Sequence, residues 1–369
     1  MDKKKSSKLH DANHTYLINN NYLLNEEEKG LVYTNYDLIK KQREVPAELI
    51  KEFLKVLFTG RPLSSIRLPI HLYTPEPVSL FYINEFQYLN HFVNHILTLN
   101  DPLEKMKSIV SYTIASKHLL LSYAKPLDPV IGETQQYETK DLKVYTECIA
   151  TNPVKINFYC ISNNFKAHGF FEPKENCGTS CTKIQKGMKL FLEIKDNDQT
   201  TYEINSPIFK VEGLISGNRT VNWTGSQVIL DKKNKIYAKS IFDIENKKGF
   251  FKKLFFNNKK ERFDYFKGII TKNIELISND SLEIFSSNDV EKYYEGNWVD
   301  FVSIDGKKTW DFSTVEAEAF LLQNDLIPSD TSLRTDISYL KEKNYTFAKM
   351  SFDMIYNQAD SDSKKRKKK

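Results

Sequence analysis

The spacing of hydrophobic positions changes character along the chain. In the first third, apolar residues recur three and four apart. Pro46 opens such a run over Ala47 to Leu57 and Gly60 closes it, predicting a helix with proline at its start. Glu85 to Leu99 and Pro102 to Leu121 carry the same spacing on either side of Asp101-Pro102 and predict two packed helices. From Val144 the period shortens to two: Val154, Ile156, Phe158 and Cys160 alternate with Lys155, Asn157 and Tyr159, as in a strand with one buried face. Similar runs cover Lys189–Ile194, Ile208–Leu214, Thr220–Leu230, Ile236–Phe242 and Phe266–Ile270, with Gly, Asn, Asp and Lys clusters reading as turns between them. Many short strands in series predict an antiparallel meander closing into a barrel.

The two ends are less regular. Thr15–Leu24 and Leu31–Ile39 hold scattered apolar residues without clear periodicity, so residues 1–45 read as an N-terminal arm in which Tyr16–Leu24 is either a lid or a loose segment. Beyond the strands, Glu316–Asn324 and Leu333–Tyr356 predict helices, with Pro328-Ser329-Asp330 as a helix start. Residues 359–369, an Asp-Ser-Asp-Ser run followed by six basic residues, lack apolar side chains and predict a disordered polybasic tail. The expected fold is α+β. It comprises the N-terminal arm, a helical layer, a large antiparallel near-complete β-barrel and C-terminal helices, with the folded domain at 46–358.

Composition sharpens this picture. Among 369 residues there are 24 Phe and 20 Tyr, side chains that favour half-buried strands and supply a large apolar core. The formal net charge is +5, but the last six residues are all basic, leaving the remainder near −1. Such a balance argues against a nucleic-acid surface. No apolar run approaches the roughly 18 to 20 residues that cross a bilayer, so membrane contact is expected to be peripheral. Cys148, Cys160, Cys177 and Cys181 read as reduced thiols of a cytoplasmic protein.

No local catalytic signature is present: no GxSxG, HExxH, Walker loop or GxGxxG. No enzyme activity, metal or cofactor is therefore expected. His91 and His95 share a helical face without a third ligand at metal spacing, and Cys177-Gly178-Thr179-Ser180-Cys181 lacks a second cysteine pair. Two segments carry more. Lys125-Pro126-Leu127-Asp128-Pro129-Val130-Ile131-Gly132-Glu133-Thr134 is a loop stiffened by two prolines, able either to present the Lys125 ammonium to an anionic headgroup or simply to turn a corner. Lys247 to Lys260 interleaves basic and aromatic residues. Phe250, Phe251, Lys252, Lys253, Phe255 and Phe256 would suit an anionic membrane surface, or equally a strand pair with buried aromatics.

The proline-stiffened loop resembles the Lys-Pro-Phe-Asn-Pro-Leu-Leu-Gly-Glu-Thr signature of the oxysterol-binding-related proteins, and other segments agree in order. Leu68-Pro69-Ile70, Glu76-Pro77-Val78-Ser79-Leu80 and Asp101-Pro102 with Met106 match the family's early segments. Gly217, Trp223 and Gly225 match its central strand pair, and Ile327 to Asp336, followed by Leu340-Lys341-Glu342, is similar to its C-terminal motif. The resemblance implies a lipid-binding domain, its barrel built around a hydrophobic tunnel closed by an N-terminal lid, that carries a sterol or phospholipid between membranes, with peripheral attachment and membrane contact sites as its setting. A membrane-associated sensor or scaffold without lipid exchange is the alternative, and a monomer is expected in either case.

The same resemblance marks a departure. Where the family has Glu-Gln-Val-Ser-His-His-Pro-Pro, this chain has Glu147-Cys148-Ile149-Ala150-Thr151-Asn152-Pro153-Val154. The headgroup set implied is thus Lys125, Asp128, Thr151 and Asn152, with a carboxylate where the family has an amide. The Lys, Glu and Arg of the family's last helix fall near Phe352, Tyr356 and Asp360. Losing charge-assisted hydrogen bonds worth roughly 1.5–3 kcal/mol each implies weak phosphatidylinositol 4-phosphate binding.

Overall fold

The computed structural model describes residues 15–44, 67–120, 125–177, 181–185, 187–214, 216–244, 262–278, 281–313 and 315–366. The helix expected at Ala47–Leu57 and the aromatic-basic run at 247–260 lie outside the described residues.

One large antiparallel sheet organises the chain. Its strands begin with Tyr22–Leu23 (β1) and Leu31–Tyr33 (β2), while Tyr73–Pro77 (β3) and Lys125–Leu127 (β4) form a separate parallel pair. Thr134–Glu138 (β5), Lys143–Thr151 (β6), Val154–Ile161 (β7), Phe165–Phe171 (β8), Lys174–Cys177 (β9) and Cys181–Gln185 (β10) follow. Next come Lys189–Ile194 (β11), Thr201–Asn205 (β12), Ile208–Glu212 (β13), Thr220–Asp231 (β14) and Ile236–Phe242 (β15). The series ends with Tyr265–Thr271 (β16), Val290–Asn297 (β17), Phe301–Ile304 (β18), Lys307–Asp311 (β19) and Leu321–Leu322 (β20).

Pairing runs from β20 through β5, β6, β7, β8, β11 and β12 to β14, then through β15 to β19 in order. The long strand β14 is the branch point: Ile229–Asp231 pairs β12, while Thr220–Thr224 pairs β13, which continues to β10 and β9. Among the described residues the sheet does not close, so the expected near-complete barrel is an open, curled sheet. Alternation is kept along its strands: in β7, Val154, Ile156, Phe158 and Cys160 are all buried, and in β11 Leu190, Leu192 and Ile194 are.

The helices are Thr15–Asn19 (α1), Tyr36–Arg43 (α2), Val78–Ile83 (α3), Leu89–Ile96 (α4), Pro102–Ala115 (α5), Ile274–Ser278 (α6), Thr335–Lys341 (α7) and Tyr345–Arg366 (α8). Nearly every residue of α5 from Lys105 on is buried, because this helix packs on β15, β18, β19 and α4 together. The expected helix at Glu85–Leu99 is split into a 3-10 turn over Asn84–Tyr88 and α4; that at Pro102–Leu121 ends as 3-10 over Ser116–Leu120. Hydroxyls of Thr113 and Ser116 donate back to the Val110 and Thr113 carbonyls at the second change of pitch. The aromatic content is spent inside: Tyr82 stacks on Phe171 at 4.6 Å, Phe86 meets Phe158 at 5.2 Å and Trp223 meets Phe209 at 5.0 Å. Most buried apolar residues, from Leu17 to Trp310, form one core.

Two C-terminal expectations change. Glu316–Asn324 is extended rather than helical, since Leu321 and Leu322 pair with Glu138 and Tyr137, and Gln323 N–H donates to Gln136 O at 3.1 Å. An isolated helix that short is marginal, whereas the free edge of β5 offers it backbone partners. The helix expected over Leu333–Tyr356 breaks at Lys343, whose φ is +59°, and Asn344 restarts it by capping the Phe347 N–H at 3.3 Å. Helix α8 then runs on to Arg366, beyond Gln358 where the folded part was expected to stop. Asp362 links Gln358 at 3.0 Å and Lys365 at 3.5 Å within it, and cations in its last turn complement the helix dipole.

Candidate headgroup site

The proline-stiffened loop and the C-terminal motif, far apart in sequence, meet in space. Strand β4 pairs with β3, Tyr73 opposite Lys125 and Pro126 opposite Thr74. Past Pro129 the chain turns at Gly132, whose φ of +85° suits glycine, and the Gly132 N–H donates to Cys148 O at 2.8 Å on β6. Thr134 N–H then donates to Ser329 O at 2.9 Å, and Asp330 caps Ser332 N–H at 2.9 Å. These bonds bring Arg334 against the loop.

Arg334 holds the two motifs together. One Nη donates to Asp128 O at 3.0 Å and to Glu133 Oε1 at 3.0 Å. Its other side grips Asp336 in a fork, Nε to Oδ1 at 3.0 Å and Nη2 to Oδ2 at 2.6 Å. Burial alone would lower its pKa, but the bonds to Asp336 and the Glu133 charge outweigh it and the guanidinium is firmly protonated. Glu133 is held above the usual carboxylate range by burial, with Arg334 pulling the other way.

Lys125 sits in the same cluster, its Nζ 2.7 Å from Asp128 Oδ2 and 5.7 Å from the Tyr73 ring centre. Tyr73 packs on Phe352 at 5.5 Å, Phe352 on Tyr356 at 4.3 Å, and the Tyr356 hydroxyl donates to the Asp128 carbonyl. Arg67 lies over the Tyr356 ring at 5.4 Å and pairs Asp360 at 2.6 Å. Phe352 and Tyr356 thus form an aromatic wall beside the loop, and Asp360 is the counter-charge of Arg67. Three cations (Lys125, Arg334, Arg67) here meet four carboxylates (Asp128, Glu133, Asp336, Asp360) among the described residues.

The structure brings Lys125 and Asp128 together in one ion pair. Thr151, the last residue of β6, and Asn152, on the turn to β7 where Asn152-Pro153 is a cis peptide, are both exposed, and neither side chain makes a hydrogen bond or ion pair among the described residues. Cys148 is buried and its thiol is pushed up to about 12, mainly by burial. His91 packs against Trp310 and His95 bonds Ser108 at 3.2 Å; no cluster able to hold a metal occurs among the described residues. Arg334 and Tyr73 were not singled out from the sequence as site residues. An arginine inside the quoted C-terminal motif was the available signal for the first, and only the fold identifies its partners.

An open antiparallel sheet curled around an apolar core, with a charged loop clamped at one end, is the architecture of a lipid-binding domain. The oxysterol-binding protein family model matches residues 51–368, and the chain belongs to that family. It is 26% identical over 337 residues to oxysterol-binding protein 9 of Dictyostelium discoideum, covering 90% of this chain and 77% of that one. Its fold is similar to the Osh1 ORD domain solved with ergosterol, at TM-score 0.64 and 18% identity over 84% of this chain and 77% of that one. It is also similar to the Osh3 ORD of Saccharomyces cerevisiae solved with PI(4)P, at TM-score 0.63 and 17% identity over 85% and 84%. No described helix is long and apolar enough to cross a membrane.

Proposed function

We propose that the protein takes up a sterol or phospholipid from one membrane and delivers it to another at their cytosolic faces, without phosphatidylinositol 4-phosphate as an exchange partner. The observation that carries this reading is the Lys125 ammonium held 2.7 Å from Asp128 inside a cluster richer in carboxylates than in cations. A phosphomonoester entering there would meet like charge, while a headgroup of low charge would not. Lys125 remains the proposed polar contact, with Asp128 its counter-charge and Thr151 and Asn152 at the rim.

The N-terminal segment supports a carrier with a closed lid. Leu17 and Tyr22 are buried in the main core, β1 pairs β2, and β2 pairs Thr220 and Val221 of β14. Arg43 fastens α2 through the Gly213 and Gly217 carbonyls at 2.8 and 2.6 Å. Native mass spectrometry of protein from a eukaryotic host, with the released lipid identified, tests the reading. A stoichiometric sterol or phospholipid that the protein then moves between liposomes is the expected result. An empty protein that takes up no lipid would leave only a scaffold.

A further inference from the structure

The outer face of α8 has no part in the site above. Phe347, Met350 and Met354 are 51%, 63% and 67% exposed, and at about 100° per residue they fall within about 60° of one another. Large apolar side chains rarely stand in line on a solvated helix whose other face is already packed, as Ala348, Phe352 and Tyr356 are here. Towards the C-terminus the same face continues through exposed Asn357, Gln358 and Ser361 to exposed Lys364 and Lys365, and Arg366 follows. The sequence adds Lys367, Lys368 and Lys369.

Charge decides what would cover this face. The three carboxylates of α8 are each matched by a cation: Asp353 by Lys349 at 2.5 Å, Asp360 by Arg67 at 2.6 Å and Asp362, which borders the face, by Lys365 at 3.5 Å. What is presented outward is an apolar stripe followed by a run of positive charge. We propose that this face of α8 docks the protein on an anionic phospholipid surface, with Phe347, Met350 and Met354 entering the interface and the basic end meeting the headgroups. The inference builds on the carrier reading but concerns where the protein lands, not what it carries.

The test is flotation of the full chain with vesicles of phosphatidylcholine alone or with roughly a quarter phosphatidylserine. Binding to the anionic vesicles that weakens with salt is expected. Met350→Asp with Met354→Asp, and separately Lys364→Glu with Lys365→Glu, should each reduce it by about tenfold or more. The lipid content by mass spectrometry should stay as in the wild type for both pairs, and, since Met350 and Met354 are exposed and make no ion pair, so should the urea midpoint of the methionine pair. Variants that float like the wild type overturn the proposal, as does equal binding to neutral vesicles. A wild-type protein that carries lipid yet floats with neither vesicle overturns the docking face alone and leaves the carrier reading standing; an empty protein that still floats does the reverse.

Discussion

Arg334 bonds Glu133 at 3.0 Å and, through the same nitrogen, the carbonyl of Asp128 at 3.0 Å, so one buried guanidinium spans the two motifs that identify the domain. Removing it strands Glu133 and Asp336 in the protein interior. Arg334→Ala is therefore expected to cost about 3–5 kcal/mol of stability, measured by urea unfolding. Arg334→Lys should recover only part of that, because a single ammonium cannot reproduce the fork on Asp336. A loss below about 1 kcal/mol for the alanine variant would mean that the motifs are held by backbone bonds alone.

The lid reading predicts a specific effect at Arg43, whose guanidinium donates to two carbonyls of the β13–β14 connection. Arg43→Ala removes charge-assisted bonds at the margin of the core, and the global loss should stay near 2 kcal/mol or less. Lipid release should quicken several-fold while amide exchange over residues 15–44 rises selectively. Unchanged exchange there would show that the β2–β14 pairing closes the lid without Arg43.

How much of this could be read from the sequence depends on distance along the chain. The alternation of Val154 to Cys160 identified β7 and its buried face because that pattern is local. The Lys125 loop and the Ile327–Asp336 segment were each recognisable, yet that they touch follows only from the strand order that brings β5 beside Ser329. Leu321 and Leu322 form strand instead of helix for the same reason, since the deciding partner is the edge of β5 some 180 residues away in sequence. Lys117 is the clearest case of an illegible residue. Fully buried, it pairs Glu85 at 2.9 Å beneath Trp223, and nothing in its own neighbourhood distinguishes it from a solvated lysine.

Acid should destabilise the edge of the sheet first. The bond from Lys308 and then those from Ser313 hold the Asp311 carboxyl down at about 2. Its folded-state value lies below its ordinary 3.8, so its contribution is complete above about pH 4 and is lost as the pH falls towards 2. Asp196, Glu203 and Asp305 are displaced in the same direction by their lysine partners, against the opposing effect of burial. Glu133 has the opposite sign. Raised by burial, it favours the folded state below its ordinary value and loses that preference as the pH rises through the folded one. Thermal unfolding of Asp311→Asn should accordingly show a shallower fall between pH 4 and pH 2 than the wild type; parallel curves would remove Asp311 from the account.

The most direct handle on ligand choice is Asp128. Its carboxylate neutralises Lys125 at 2.7 Å, and the loop it belongs to is fixed independently by Arg334 and Tyr356 bonding its main-chain carbonyl. Asp128→Asn thus alters charge while leaving the clamp in place. The substitution brings cations and carboxylates in the cluster to parity, so affinity for an anionic headgroup should rise by about tenfold, the effect of about 1.4 kcal/mol. Pairing it with Thr151→His and Asn152→His supplies two further donors at the rim and should raise the affinity again. Competition for bound fluorescent sterol by phosphatidylinositol 4-phosphate in liposomes measures both steps. If neither variant gains on the wild type, the aromatic wall of Tyr73, Phe352 and Tyr356 excludes the headgroup by shape, and a further variant opening that wall, Tyr356→Ala, becomes the one expected to admit it.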